Sequence, residues 1–373
     1  MLDLVLVGGG LANGLLAWRL VMTRPDVSFV VLEAGRALGG NHTWTFHGTD
    51  VTKAQLEWLW VLVSKSWHAH DVAFSREQPR RIGGGHHAIT SADLHWKLME
   101  RLGERVRLKT RVAEVGATHV VLEDGERIEA RAVLDGRGTP PAVPGAWQQS
   151  LGLEVELEAP HALDAPLLID ARFEDEADEL RWISVFPWDA RRVLARDTVV
   201  RASAGAPDLA LHRARLETWC SAQELRVKSV LREEPAVLPL PLSGAAPTLT
   251  SPRVGVAAGL FHAATGSSLP MAVDVAEALP ALPELTAPAL TAWLQQHAAR
   301  HWAQQAFARA SNRLLLGAPA PARRRVLEAL YAQPEDTLAR FHAGTTDLFD
   351  RLAIARRWAG VVPTFTALRA ALG

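Results

Sequence analysis

Residues 4–20, LVLVGGGLANGLLAWRL, place the strongest limit on how this chain can fold. Leu4 to Val7 form a continuous apolar run of the kind that parallel strands show when both faces are covered. Gly8 and Gly10 permit a tight turn in which backbone N–H groups approach a ligand. A helix beginning at Leu11 and Ala12 then points its positive end at the same place. The third glycine of the G-x-G-x-x-G pattern is replaced by Asn13, followed by Gly14. A second apolar run, VSFVVLEAG, ends in Glu33 and Ala34. An acid there accepts hydrogen bonds from the adenosine ribose and repels a 2′-phosphate, so the turn is expected to hold FAD or NAD rather than NADP.

Later segments favour FAD. EARAVLDGRG, residues 129–138, reads as a strand returning to the same sheet and ending in Asp135 and Gly136, after a hairpin turned by Asp124-Gly125. RVGVAAGLFHAATGSSLPMAVDVAEAL, residues 253–279, reads as a further strand, a Gly-rich loop and a helix. Gly259, Leu260, Gly266 and Ser268 in that loop would let backbone amides approach a flavin ring and its ribityl chain. Strand–turn–helix units at both ends of the chain, with different material between them, imply a discontinuous nucleotide domain.

Composition narrows the class. A length of 373 residues corresponds to about two domains. The net charge of -1 gives no electrostatic case for nucleic acid. One cysteine, Cys220, excludes an internal disulfide and fits a reducing compartment. No signal-peptide pattern is visible, and prolines, glycines and His262 interrupt the longest uncharged stretches, so no membrane-spanning helix is expected. Thirteen Trp and ten Phe stand against a single Tyr, Tyr331, which fits either core packing or an aromatic cavity poor in hydroxyls.

Seven blocks carry a resemblance to a known family: LVLVGGGLANGL, GGNHTWTFH, VLDGRG, REEPAVLPLPL, GLFHAATGSSLP, FARASNRLLL and RFHAGTTDLFDRL. In that order and across nearly the whole chain, they resemble the bacterial lycopene cyclases, flavoproteins that close rings at the ends of linear carotenoids. The resemblance implies an α/β fold similar to aromatic hydroxylases and geranylgeranyl reductases. That fold has a doubly wound, Rossmann-type FAD domain, a β-sheet substrate domain and C-terminal helices. The corresponding spans are 1–48, 90–160 and 250–290 for the FAD domain, 49–89 and 160–250 for the substrate domain, and 290–373 for the helices. Asn41 and His42 join the cofactor-binding set through the GGNHTWTFH block.

The reaction the resemblance implies is net non-redox. A terminal alkene is protonated, a second double bond attacks the resulting cation, and a ring proton leaves. FAD would act in its reduced form, with NADPH as electron source, on a hydrophobic polyene substrate. Such a site needs an acid in apolar surroundings, shelter from water and negative charge or π-faces near the cation. Trp44, Phe46, Trp182, Phe186 and Trp188 are the candidate pocket aromatics, and His262 is a candidate beside the flavin. In the family, the strand matching RRVLARDTVV carries a catalytic Glu where Arg196 stands here, before Asp197 and Thr198. An arginine stays charged and cannot donate a proton usefully. The acid role then falls to Asp197, to another acid such as Glu154, or to the reduced flavin, unless the substrate differs. Arg196 itself would pair with a buried acid such as Asp170 or with an anionic substrate group.

Other readings stay open at this level: a redox flavoenzyme acting on a lipid-like or aromatic substrate, or a catalytically lapsed pigment-binding relative. SWHAHDVAF puts His68 and His70 on one face of an extended segment beside Asp71. No third ligand is evident, so no metal is expected. PARRRVLEAL is a basic, amphipathic helix start suited to anionic lipid, giving an expected cytoplasmic location, peripheral on the inner face of the membrane. Oligomeric state is not legible.

Overall fold

The computed structural model describes residues 1–75, 78–138, 143–172, 179–202 and 205–372. β1 (Leu2–Val7) leads through the glycine turn into α1 (Leu11–Thr23), and β2 (Phe29–Leu32) returns parallel to β1. Leu4, Val5 and Leu6 have no exposed surface, as a central strand covered on both faces requires. Gly14 lets α1 lie close to a neighbouring helix, because a Cβ there would meet the Leu98 side chain at 2.9 Å.

The chain then runs through β3 (Thr43–His47), a 3₁₀ turn (Gly48–Asp50), α2 (Lys53–Leu59) and four short strands. These are β4 (Lys65–Trp67), β5 (His70–Ala73), β6 (Arg80–Ile82) and β7 (His86–Thr90). α3 (Ser91–Leu102) follows, capped by the Thr90 hydroxyl accepting from Asp93 N–H. β8 (Val106–Arg107), β9 (Val112–Val115), β10 (His119–Leu122) and β11 (Arg127–Asp135) complete the first sheet, ordered β8-β2-β1-β11-β10-β9. β11 lies parallel to β1, and β10 pairs with it through the Asp124-Gly125 hairpin, where Gly125 takes φ +89°. β3, β7 and β4 form a separate three-stranded sheet.

A second large sheet contains β12 (Gly145–Leu157), β13 (Leu167–Asp170), β14 (Leu180–Pro187), β15 (Arg192–Arg201) and β16 (Val227–Pro241), together with β5 and β6. Its order is β16-β12-β15-β14-β13-β5-β6. By strand pairing, residues 145–157 go with this sheet and not with the first. One face packs on α4 (Leu209–Ala222), where Leu216, Trp219 and Cys220 meet Leu151, Val155 and Ile183. Burial there pushes the Cys220 thiol up to about 11, out of the nucleophilic range.

The strand expected at residue 253 reduces to a single parallel bridge from Arg253 to Asp135, followed by a 3₁₀ turn (Gly255–Ala258). The glycines that make the loop also stop an extended run from forming. α5 (Leu269–Ala278) packs on α1, completing the doubly wound layer. Six helices close the chain: α6 (Ala287–Gln304), α7 (Ala306–Gly317), α8 (Ala320–Tyr331), α9 (Glu335–His342), α10 (Leu348–Trp358) and α11 (Thr364–Leu372). α7 to α11 form their own apolar core around Phe307, Leu330, Ile354 and Trp358, against the face of the second sheet opposite α4.

Candidate active site

Two structural features meet in this architecture: a helix terminus free to take an anion, and an apolar chamber. At the first, Gly8 takes φ +87°, and a Cβ there would approach the Gly136 carbonyl at 3.1 Å. The α1 N-terminus has no side-chain cap, and a Cβ on Gly10 would enter open space. Its first amides and dipole are therefore available to a phosphate. The Asn13 amide donates to the carbonyls of Val7 and Gly8, at 2.9 and 2.8 Å, and so holds the turn. Gly136, packed on that amide, donates to Val7 O. Glu33 sits at the end of β2, its carboxylate accepting from Gly9 and Gly35 N–H at 2.7 and 2.6 Å. Leu11 is buried, and Ala12 faces the Gly255 backbone. Ala34 is exposed beyond Glu33. Asp135 is buried and paired with Arg137 at 2.9 Å.

The chamber, of about 410 Å³, lies between the second sheet and the C-terminal helices. That volume is in the range of small-molecule sites. Strand alternation builds its wall: Trp182, Ser184 and Phe186 of β14 face it, as do Arg196, Thr198 and Val200 of β15. Trp44 and Phe46 of β3 and the buried Trp358 add aromatic surface. Gly266, Ser267 and Ser268, at the uncapped N-terminus of α5, also line it. Gly266 takes φ +72° against the Leu238 side chain. Gly259 takes φ +74° against Pro247, and Leu260 is buried behind it. This loop is pinned from the helical side, where Ala263 N–H donates to Gln305 at 2.9 Å and Asn312 donates to Ala263 O at 2.8 Å.

Asp197 is not on the chamber wall. Neighbouring residues of a strand face opposite ways, so Asp197 points at α4, fully buried, with Arg181 and His212 each at 2.6 Å. It is a structural ion-pair member on the far face. Trp188 lies past the end of β14 and packs on Trp67, 5.9 Å between rings, also off the wall. His262 is buried on the wall, but its ring is taken up by the Phe341 carbonyl at 3.0 Å and the Thr265 hydroxyl at 3.2 Å. Burial lowers it to about 4, so it is neutral and braces the loop against α9. Glu154 pairs with Arg232 at 3.0 Å.

Arg196, on the chamber wall, does not meet Asp170. Its guanidinium donates to Glu234 at 2.6 Å, while Asp170 is taken by Arg172 and the Trp219 indole. Glu234 has no exposed surface and also accepts from Thr43 and Arg232. Burial opposes its ionisation, yet Arg196 and Arg232 outweigh that and hold it below the ordinary carboxylate range. His42 lies 3.3 Å from the same carboxylate, and Asn41 is held by Glu233 O and Arg232.

A family model described as lycopene cyclase protein matches residues 3–369. The chain belongs to the lycopene cyclase family. Among its relatives, a lycopene beta-cyclase of Pantoea ananas is 39% identical over 376 residues, covering 99% of this chain and 97% of that one. One of Pseudescherichia vulneris is 39% identical over 382 residues, covering 100% and 97%. Among solved structures, a geranylgeranyl bacteriochlorophyll reductase-like protein of Thermoplasma acidophilum matches with TM-score 0.66 at 11% identity, covering 99% of each chain. That likeness concerns the fold.

Two features of this lycopene cyclase family chain were not read from its sequence. His47, His70 and His86, from three separate strands, bring ring nitrogens within 4.8 Å of one another, and the His342 ring lies 4.5 Å from that of His47. Burial lowers His47 and His70 to about 3 and takes His86 and His342 well below the ordinary imidazole range, so all four are neutral. Asp50, at the end of the turn after β3, also lines the chamber. It sits only eight residues after His42, three residues past the end of the block that drew attention to Trp44 and Phe46.

Proposed function

We propose that this chain cyclises the ends of a linear, lycopene-type polyene without net redox change. The observation that carries the reading is the chamber itself: aromatic walls, an uncapped helix terminus at one side and neutral imidazoles at another, in a chain matched end to end by the lycopene cyclase model. FAD is the proposed cofactor, used reduced, with NADPH as electron source. The residues fit it. The Cβ-free space at Gly10 and the free α1 amides would take the pyrophosphate, Glu33 the ribose hydroxyls, and the α5 terminus with Gly266 and Ser268 the flavin end. When bound and reduced, FAD would supply negative charge beside a positive carbon.

The protein's own residues do the remaining work. Trp44, Phe46, Trp182 and Phe186 exclude water that would trap the cation and offer π-faces to it. Arg196 is neutralised by Glu234, so its charge does not oppose the cation. Neutral His47, His86 and His342 keep that corner free of positive charge. No helix among the described residues is long and apolar enough to cross a membrane. For contact with a bilayer that dissolves the polyene, the best-placed surface is that of α10 and α11. There Phe349 and Phe365 are 83% and 77% exposed.

The test is purified protein with lycopene in liposomes, FAD and a known amount of NADPH under anaerobic conditions. Ring closure without stoichiometric NADPH use supports the reading. Product tracking NADPH one for one would mean a redox enzyme instead.

A further inference from the structure

The chamber needs a group that can give up a proton, and the family's glutamate position is held by Arg196. Among the described residues lining the chamber, Asp50 alone carries a carboxyl group. Asp197 faces α4, and Glu234 is locked as an anion between two arginines. We propose that Asp50 is the acid that protonates the terminal alkene, an assignment that rests on the cyclase reading above.

The geometry of the carboxyl supports this. Asp50 Oδ2 accepts from His47 N–H at 2.8 Å, which fixes the side chain at the end of its turn. Oδ1 is buried and has no hydrogen-bond partner. As a carboxylate it would carry charge on an oxygen that nothing solvates, so the neutral acid is favoured there. Burial accordingly raises Asp50 to about 7, only partly opposed by the His47 N–H. The groups around this corner are His47 on the preceding strand, His70 on β5, His86 on β7, Tyr331 at the end of α8 and His342 on α9. None is a cation: burial keeps the imidazoles neutral and pushes the Tyr331 hydroxyl up, with the Asp50 charge adding to that. An acid raised by burial, set beside bases lowered by burial, is the separation that general acid catalysis uses.

The step balances within the protein. The Asp50 O–H bond breaks as a C–H bond forms at the terminal alkene, leaving a carboxylate and a tertiary carbocation. The second double bond supplies the electron pair of the ring C–C bond and carries the positive charge into the ring. A ring C–H bond then breaks to form the product alkene, and its proton returns to the Asp50 carboxylate. No electrons enter or leave the substrate.

Asp50→Asn and Asp50→Glu separate this role from a structural one. Both variants, with wild type, are assayed on lycopene in liposomes with chemically reduced FAD, alongside flavin content and melting temperature. The expected result is a loss of about 10²- to 10⁴-fold for Asp50→Asn, with flavin content and melting temperature kept, and partial recovery in Asp50→Glu. Asp50→Asn activity within threefold of wild type overturns the assignment. Should Asp50→Asn not fold, the wild-type pH profile decides. A rate falling as pH rises through about 7 supports Asp50, and a flat profile from pH 6 to 9 overturns it. Wild type unable to cyclise lycopene at all would sink the functional reading instead.

Discussion

Arg196 and Glu234 meet at 2.6 Å across a strand that has no side chain between them. Both register with Gly152 of β12, one from β15 and one from β16. A Cβ on Gly152 would lie 3.4 Å from Glu234 Cβ and 3.6 Å from Arg196 Nε. The glycine thus leaves room for an ion pair that spans three strands and lies beside the chamber.

Removing Arg196 strands an anion with no exposed surface. Arg196→Met should cost about 3 kcal/mol, the low end for breaking a buried pair, because Arg232 remains. Arg196→Glu should cost more, since it sets like charges together. The double variant Arg196→Met with Glu234→Met should be less destabilised than Arg196→Met alone. Denaturant unfolding of the three proteins checks this. The pH dependence has a defined sign. The folded pKa of Glu234 is depressed, so the pair's contribution is present above the unfolded value near 4.5 and is lost as pH falls through the folded value.

The glycine cradle and Glu33 can be tested separately. Gly10→Val fills the space before α1 without touching the packed core, because no atom lies within 4 Å of a Cβ there. It should abolish flavin retention while leaving the melting temperature of the flavin-free protein nearly unchanged. Glu33→Ala should weaken FAD affinity about ten- to a hundredfold, the loss of charge-assisted hydrogen bonds. Flavin fluorescence titration reads both, and unaltered affinity in both variants would contradict the proposed placement.

Local pattern made part of this legible in the sequence. The β1–turn–α1–β2 unit, Glu33 and the Asp124-Gly125 hairpin all depend on neighbours within a few dozen residues, and short-range rules reach that far. Arg196 and Asp197 show where such rules stop. Strand alternation says that they face opposite ways, but both faces of the second sheet are covered, one by α4 and one across the chamber by the C-terminal helices. Only tertiary packing says which residue meets the chamber. Glu234 lies 38 residues from Arg196 and becomes its partner because β12 inserts between β15 and β16. The histidine corner draws on four distant segments, and it is burial in the folded chain that lets Asp50 keep its proton to about 7. The one available signal was Asp50's place directly behind the GGNHTWTFH block.

Membrane contact is proposed for the exposed Phe349 and Phe365 of α10 and α11, in addition to the basic start of α8. Phe349→Ser with Phe365→Ser should weaken sedimentation with liposomes by more than tenfold, since each buried Phe contributes about 1.5–3 kcal/mol. Activity on detergent-dispersed lycopene should persist. Undiminished liposome binding would remove this surface from the account.

The central claim is that a sheltered carbocation is made and closed into a ring in the chamber. Expression in cells that accumulate lycopene, followed by extraction and pigment chromatography, tests it most directly. Cyclised carotenoid replacing lycopene is the predicted result. Lycopene left unchanged by a folded, flavin-loaded protein would contradict it.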